Sequence, residues 1–195
     1  GVIFALSALL FSRPTIKNLP IRIQGPILFF GDSLVAGAGA SEGGSLPDRL
    51  SKILDEPVLN FGESGNTTTD GLARVEIARE AHPRLVIVLL GGNDFLRRID
   101  RVTTEDNLKK IVTAFQEDGA AVLLLGVRSG ILSGGSEELY REVAKQTGAA
   151  YEDDVLKGIF GHPELMSDAI HPNDAGYEKI AHRLGLVIRE LLNDK

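Results

Sequence analysis

The stretch RLVIVLLGGND, Arg84–Asp94, decides the fold. Six apolar residues, three of them β-branched, run without the alternation of a half-exposed strand. A strand covered on both faces reads this way, and such strands belong to parallel sheets flanked by helices. Two glycines and an Asn-Asp pair end the run abruptly. A second run of this kind is AVLLLGV, Ala121–Val127. Shorter apolar segments at Ile27–Phe30 and Val58–Phe61 read as further strands, and Ala149–Tyr151 as a short edge strand.

Helix-patterned segments separate these strands. Pro47–Leu54 stops before Pro57. Thr69–Glu80 has Asp70 or Thr69 as its expected N-cap. Thr104–Glu117 is followed by Gly119, and Ser136–Thr147 by Gly148, with Ser136 as its cap. The last helix starts near Asn173, with Tyr177, Ile180, Ala181, Leu184, Val187, Ile188 and Leu191 at helical spacing. This alternation predicts an α/β fold, a parallel sheet with helices on both faces. Ligands bind such sheets at the carboxyl ends of the strands. The loops after Phe30, Phe61, Leu90 and Val127 therefore share one rim.

A chain of 195 residues with 43% hydrophobic and 25% charged residues suits one folded domain. A formal net charge of -6 argues against nucleic acid and anionic membrane surfaces as partners. The absence of cysteine excludes disulfides, thiolate metal sites and cysteine nucleophiles. The N-terminal run GVIFALSALLF, Gly1–Phe11, has no polar face and is shorter than the ~20 residues of a membrane span. We read residues 1–20 as this segment plus a linker: the remnant of a membrane anchor or signal core ahead of a domain over 21–195. A periplasmic or other extracytoplasmic location is the matching expectation.

The first rim loop lies in ILFFGDSLVAGAGASEGG, Ile27–Gly44. As a dinucleotide loop it fails, because the pattern from Gly37 and Gly39 meets Glu42 where the last glycine belongs. As a Walker loop it also fails, because no lysine occurs between Lys17 and Lys52. We read Gly37–Gly44 as a flexible lead into the next helix. Ser33, two residues past the turn glycine Gly31, is placed to carry a nucleophilic hydroxyl onto the rim. A serine after a strand is more often a cap or turn residue, so the remaining loops must supply its partners.

The second loop, NFGESGNTTTD, offers Gly62 and Gly65, whose backbone can point an N–H at an anion, or make a plain turn. In the third, Asn93 is an uncharged amide donor suited to an oxyanion, or a turn cap. For a general base the chain has four histidines. His82 precedes a strand, on the wrong side of the sheet, and His182 lies inside the last helix. His162 and His171 remain. In SDAIHPNDAG, Asp168 stands three residues before His171, so one turn can bring its carboxylate to the imidazole Nδ1. His162 has Glu164 nearby and no such acid upstream. His162, Asp168, His171 and Asp174 also offer a mixed metal set, although this composition is common near turns without a metal.

FGDSLVAGAG, ESGNTT, GGND and DAIHPNDAGY occur in this order, and together they resemble the four blocks of the GDSL, or SGNH, hydrolases. The resemblance runs from Ile27 to about Leu192. It implies a three-layer, flavodoxin-like α/β/α sandwich with a mainly five-stranded parallel sheet. It also implies Ser33 as nucleophile, His171 as general base and Asp168 as its orienting acid. The amides of Ser33 and Gly65 and the Asn93 side chain would form the oxyanion hole. No metal or organic cofactor is required.

ESGNTTTDGLAR and LVIVLLGGNDFLR are most similar to the bacterial thioesterase, lysophospholipase and arylesterase branch. That branch usually carries a Pro-Asn-Tyr-Gly-like segment where this chain reads VRSGILSGGSEELY, Val127–Tyr140. Ile131 and Leu132 in that loop are candidates to line an acyl groove. The expected substrate is a small-molecule acyl ester or thioester. Deacetylation of a carbohydrate is the alternative, disfavoured by the absence of Trp and 6% aromatic content. A tethered binding module that has lost turnover is the non-enzymatic alternative. Arg97, Arg98 and Arg101 form a cluster fit for an anionic head group or for plain solvation.

Overall fold

The computed structural model describes residues 15–127 and 136–193. The Gly1–Phe11 run, Ile131 and Leu132 lie outside the described residues, as does the side chain of Ser136. Among the described residues no helix is long and apolar enough to cross a membrane.

Five strands form the sheet: β1 (Ile27–Gly31), β2 (Val58–Gly62), β3 (Leu85–Leu89), β4 (Ala121–Leu125) and β5 (Ala150–Glu152). Their spatial order is β2-β1-β3-β4-β5, and every pairing is parallel. The helices are α1 (Ser33–Ala36), α2 (Leu46–Leu54), α3 (Thr68–Arg79), α4 (Gly92–Leu96), α5 (Arg101–Glu117), α6 (Ser136–Thr147) and α7 (Asp174–Asn193), with a 3-10 turn at Pro163–Leu165.

Two apolar layers explain why the strands do not alternate. Ile27, Phe29, Leu85, Ile87, Leu123 and Leu125 face α2 and α7, meeting Leu46, Leu50, Ile180 and Leu184. Their neighbours Leu28, Phe30, Val86, Val88, Val122 and Leu124 face α3, α5 and α6, meeting Val75, Ile111, Phe115 and Val143. Adjacent side chains leave opposite faces of a strand, so both parities must be apolar. Burying each large side chain contributes roughly 1.5–3 kcal/mol.

Local signals account for the helix boundaries and correct two expected ones. The cap of α3 is Thr67, not Thr69 or Asp70. Its hydroxyl accepts the Asp70 N–H, and the Asp70 carboxylate accepts the Thr67 N–H, closing a capping box. Helix α5 begins at Arg101 rather than Thr104, because Asp100 caps it by accepting from Val102 and Thr103. The short helices α1 and α4, just after β1 and β3, carry too few residues for periodicity to show.

The order of strands reverses between β1 and β3, since the chain moves outward from β1 to β2 and then crosses to β3. Ligand crevices form beyond the strand ends at such a switch point. Ser33 follows β1 and Asn93 follows β3, so both stand beside it.

Candidate active site

Strand β1 ends on Gly31, and a Cβ there would overlap the Leu89 carbonyl oxygen and the Val35 side chain. Glycine lets the ends of β1 and β3 close together, with α1 turning away immediately afterwards. Asp32 caps α1, its Oδ1 accepting the Leu34 N–H at 3.0 Å. Ser33 is thereby the first helical residue.

The Ser33 hydroxyl lies 3.0 Å from His171 Nε2, and His171 Nδ1 lies 2.7 Å from Asp168 Oδ2. Both spacings are hydrogen-bonding distances. The Asp168 Oδ1 accepts the N–H groups of Ile170 and His171, each at 2.8 Å, so a three-residue turn sets the carboxylate against the ring. The hydrogen bond from His171, and then the Ile170 amide, pull the Asp168 pKa down to about 2. Asp168 is therefore ionised at any ordinary working pH and holds the imidazole with Nδ1 protonated and Nε2 free to accept. The other histidines stand apart from this relay: exposed His162 pairs with Glu164, exposed His182 with Glu178, and His82 is exposed.

The segment that carries His171 is braced against the loop that carries Ser33. Tyr177 donates to the Ala38 carbonyl at 2.7 Å, and Asp174 Oδ1 accepts from the Ser41 N–H at 3.3 Å and Arg49 at 2.7 Å. A Cβ on Gly39 (φ +89) would collide with the Pro172 carbonyl. Gly37–Gly44, expected to be a flexible lead, is instead packed against the loop that carries His171. Gly39 is the glycine that permits this close approach. Asp174 is occupied in this brace, and among the described residues no group of three or more His, Asp or Glu is placed to hold a metal.

The loops after β2 and β3 are hydrogen-bonded to each other, and Asn93 lines the same cleft as Ser33. Gly65 has φ +80, a left-handed conformation that favours glycine. Asn93 Nδ2 donates to the Asn66 carbonyl at 2.9 Å and stands 3.5 Å from Asp32 Oδ2. Arg97 donates to the Gly65 carbonyl at 2.8 Å and Arg101 lies 3.8 Å from Glu138, so two of the three clustered arginines have partners within the chain.

Three residues that hold this geometry carried no functional signal in the sequence. Arg74 donates to the carbonyls of Gly31 and Phe61 and to Asn66 Oδ1, and lies 4.2 Å over the Phe30 ring. It ties the ends of β1 and β2 to the Gly65–Asn66 turn. Asp94 is fully buried and accepts from the Thr68 N–H, the Thr68 hydroxyl and the Thr104 hydroxyl, fixing α4 against α3 and α5. Asp32 is buried beside Ser33. Loss of hydration pushes its pKa up to about 7, against the stabilising pull of the Leu34 amide and His171.

A shallow cleft opens onto Ser33 and His171. Its walls are apolar: Leu34, Leu96, Val127, Leu156, Phe160 and Ile170. A serine, a carboxylate-held histidine and amide donors beside an apolar cleft on a flavodoxin-like sheet define a serine hydrolase site. The GDSL-like lipase/acylhydrolase family model matches residues 29–179, and the chain belongs to that family.

Esterase TesA of Pseudomonas aeruginosa is 32% identical over 178 residues, covering 85% of this chain and 89% of TesA. The thioesterase 1/protease 1/lysophospholipase L1 of Escherichia coli K12 is 31% identical over 176 residues, covering 86% of this chain and 85% of that enzyme. A crystal structure of TesA superposes with a TM-score of 0.81 at 30% identity, covering 86% of this chain and 99% of the other. The protein is an ester-bond hydrolase with the α/β fold of its relatives.

Proposed function

We propose that the protein hydrolyses carboxylic esters and thioesters of apolar acyl chains through an acyl-enzyme on Ser33. The observation that carries this reading is the Ser33–His171–Asp168 chain of hydrogen bonds opening directly onto an apolar cleft. Ser33 Oγ attacks the acyl carbonyl carbon while His171 Nε2 takes its proton. The carbonyl electrons move to oxygen. That oxyanion is met by Asn93 Nδ2 and the amides of Ser33 and Gly65. Collapse of the intermediate expels the alkoxide or thiolate, which takes the proton from Nε2. Water then attacks the acyl-enzyme, giving its proton to His171, and the carboxylic acid leaves as Ser33 recovers its hydrogen.

Apolar cleft walls favour an alkyl chain over an acetylated sugar, which needs polar partners for its hydroxyls. The names of the Pseudomonas and Escherichia relatives, esterase and thioesterase/lysophospholipase, fit the same substrate class.

The test is a panel of p-nitrophenyl esters and acyl thioesters of increasing chain length, run on the protein and on Ser33→Ala. We expect kcat/KM to rise with chain length before levelling off, and Ser33→Ala to show no turnover. A fluorophosphonate probe should label Ser33 in the unaltered protein only. Turnover by a clean Ser33→Ala preparation would remove the nucleophile assignment, and absence of labelling would favour a binding module.

A further inference from the structure

The relay Ser33–His171–Asp168 does not use Asp32, although this carboxyl is buried and lines the same cleft. One of its oxygens is spent on the Leu34 N–H. The other, Oδ2, faces Asn93 Nδ2 at 3.5 Å and lies under the turn at Gly92, where a Cβ would stand 3.7 Å from it. Asn93 Nδ2 has one close acceptor, the Asn66 carbonyl at 2.9 Å.

A carboxamide has a donor end and an acceptor end of nearly equal size, and only its hydrogen bonds decide which way it points. Here the nitrogen end is set between two oxygens. Rotating the amide by half a turn would place Asn93 Oδ1 against the Asn66 carbonyl and the ionised Asp32 carboxylate, acceptor against acceptor, in a partly buried setting where unpaired polar groups are costly. The flipped amide would also present an oxygen to the oxyanion.

We propose that Asp32 is a positioning residue for the reaction: its Oδ2 keeps the Asn93 carboxamide with the nitrogen, not the oxygen, turned towards the reacting carbonyl. The length of the Asp32–Asn93 contact suits this task. At 3.5 Å it steers the N–H without binding it tightly, so the hydrogen stays available to shorten onto the oxyanion as charge develops. The proposal rests on Asn93 being an oxyanion donor, and the experiment separates the two.

Asp32→Ser keeps an N-capping hydroxyl for α1 and removes the second acceptor. kcat and KM are measured with one ester for Asp32→Ser, Asn93→Ala and the double variant, with Tm recorded for each. We expect Asn93→Ala to lose about 10²- to 10³-fold in kcat. Asp32→Ser should lose about 10- to 100-fold in kcat with KM nearly unchanged, a partial loss of that same donor. The double variant should be no slower than Asn93→Ala alone, because Asp32 acts through Asn93. Losses that multiply in the double variant, or an unchanged kcat in Asp32→Ser, would overturn the proposal. An unchanged kcat in Asn93→Ala would instead overturn the oxyanion assignment. Should Asp32→Ser fail to fold, Asp32→Asn serves the same cycle. Its amide oxygen caps Leu34 and its nitrogen then confronts Asn93 Nδ2, donor against donor. The same coupled loss in kcat is expected, and a multiplicative loss again counts against the proposal.

Discussion

Two carboxylates near Ser33 are shifted in opposite directions, and each shift has its own consequence. Asp168 is half exposed and drawn down to about 2 by His171 and the Ile170 amide. It stays ionised wherever the enzyme can work. Asp168→Ala should therefore lower kcat by about 10²- to 10⁴-fold across the accessible pH range, without moving the acid limb of the profile by its own titration. A full kcat in that variant would mean that another group holds the imidazole.

Asp32 is the reverse case. Burial raises its pKa from 3.8 to about 7, so between these values the folded state holds a proton that the unfolded chain releases. Stability from this group is full below about pH 4 and is lost as pH rises through about 7. The loss is about 4 kcal/mol at most. Replacing the carboxyl removes the loss, so the Tm of Asp32→Ser relative to the unaltered protein should increase from pH 5 to pH 8. Thermal melts at the two pH values check this. A cost of this kind at a reacting centre matches the general trade of stability for function.

At the scale of elements, the short helix α4 carries Asn93 but buries only Asp94. Five residues cannot hold themselves in a helix. The buried Asp94 supplies the anchorage, accepting from α3 through Thr68 and from α5 through Thr104. Asp94→Ala would leave the Thr68 amide and hydroxyl without their acceptor and the Thr104 hydroxyl with only the Asp100 carbonyl at 3.3 Å. We expect a loss of roughly 3 kcal/mol in urea unfolding, together with a fall in kcat larger than any change in KM, as Asn93 loses its seat. The sequence displayed Asn93 and Asp94 as neighbours in GGND, yet gave a reason to single out only the first. Asp94 matters through partners 26 and 10 residues away, and pairing over such distances leaves no local pattern. The cap of α3 is ambiguous in the sequence for a simpler reason. Three threonines in a row, Thr67–Thr69, all have the right chemistry, and only the box with Asp70 selects the first.

At the scale of the whole molecule, the site depends on how closely three strand ends approach. Gly31 is in register with Gly62 on β2 and Leu89 on β3. A Cβ at Gly31 would strike the Leu89 carbonyl, and one at Gly62 would strike the backbone of α1. Gly31→Ala should cost about 3 kcal/mol, an overpacking penalty at the upper end of its usual range. It should also abolish turnover in molecules that still fold, read as Tm and specific activity together. Arg74, half-buried beneath this junction, stitches the same strand ends.

The sequence by itself determined the parallel sheet, because strands apolar on both parities can be satisfied only between two helical layers. It also pointed to the Asp168–His171 pair, because a three-residue turn can bring these groups together locally. Ser33, Gly65 and Asn93, and their order along the chain, were singled out through the family resemblance. Only the tertiary structure decided that Gly39 packs against the histidine loop, that Arg74 and Asp94 hold the site, and that Asp32 faces Asn93. Those contacts join residues tens of positions apart. Their energies come from burial and from hydrogen bonds between distant elements, which exist only once the sheet has brought the ends of β1, β2 and β3 to one rim.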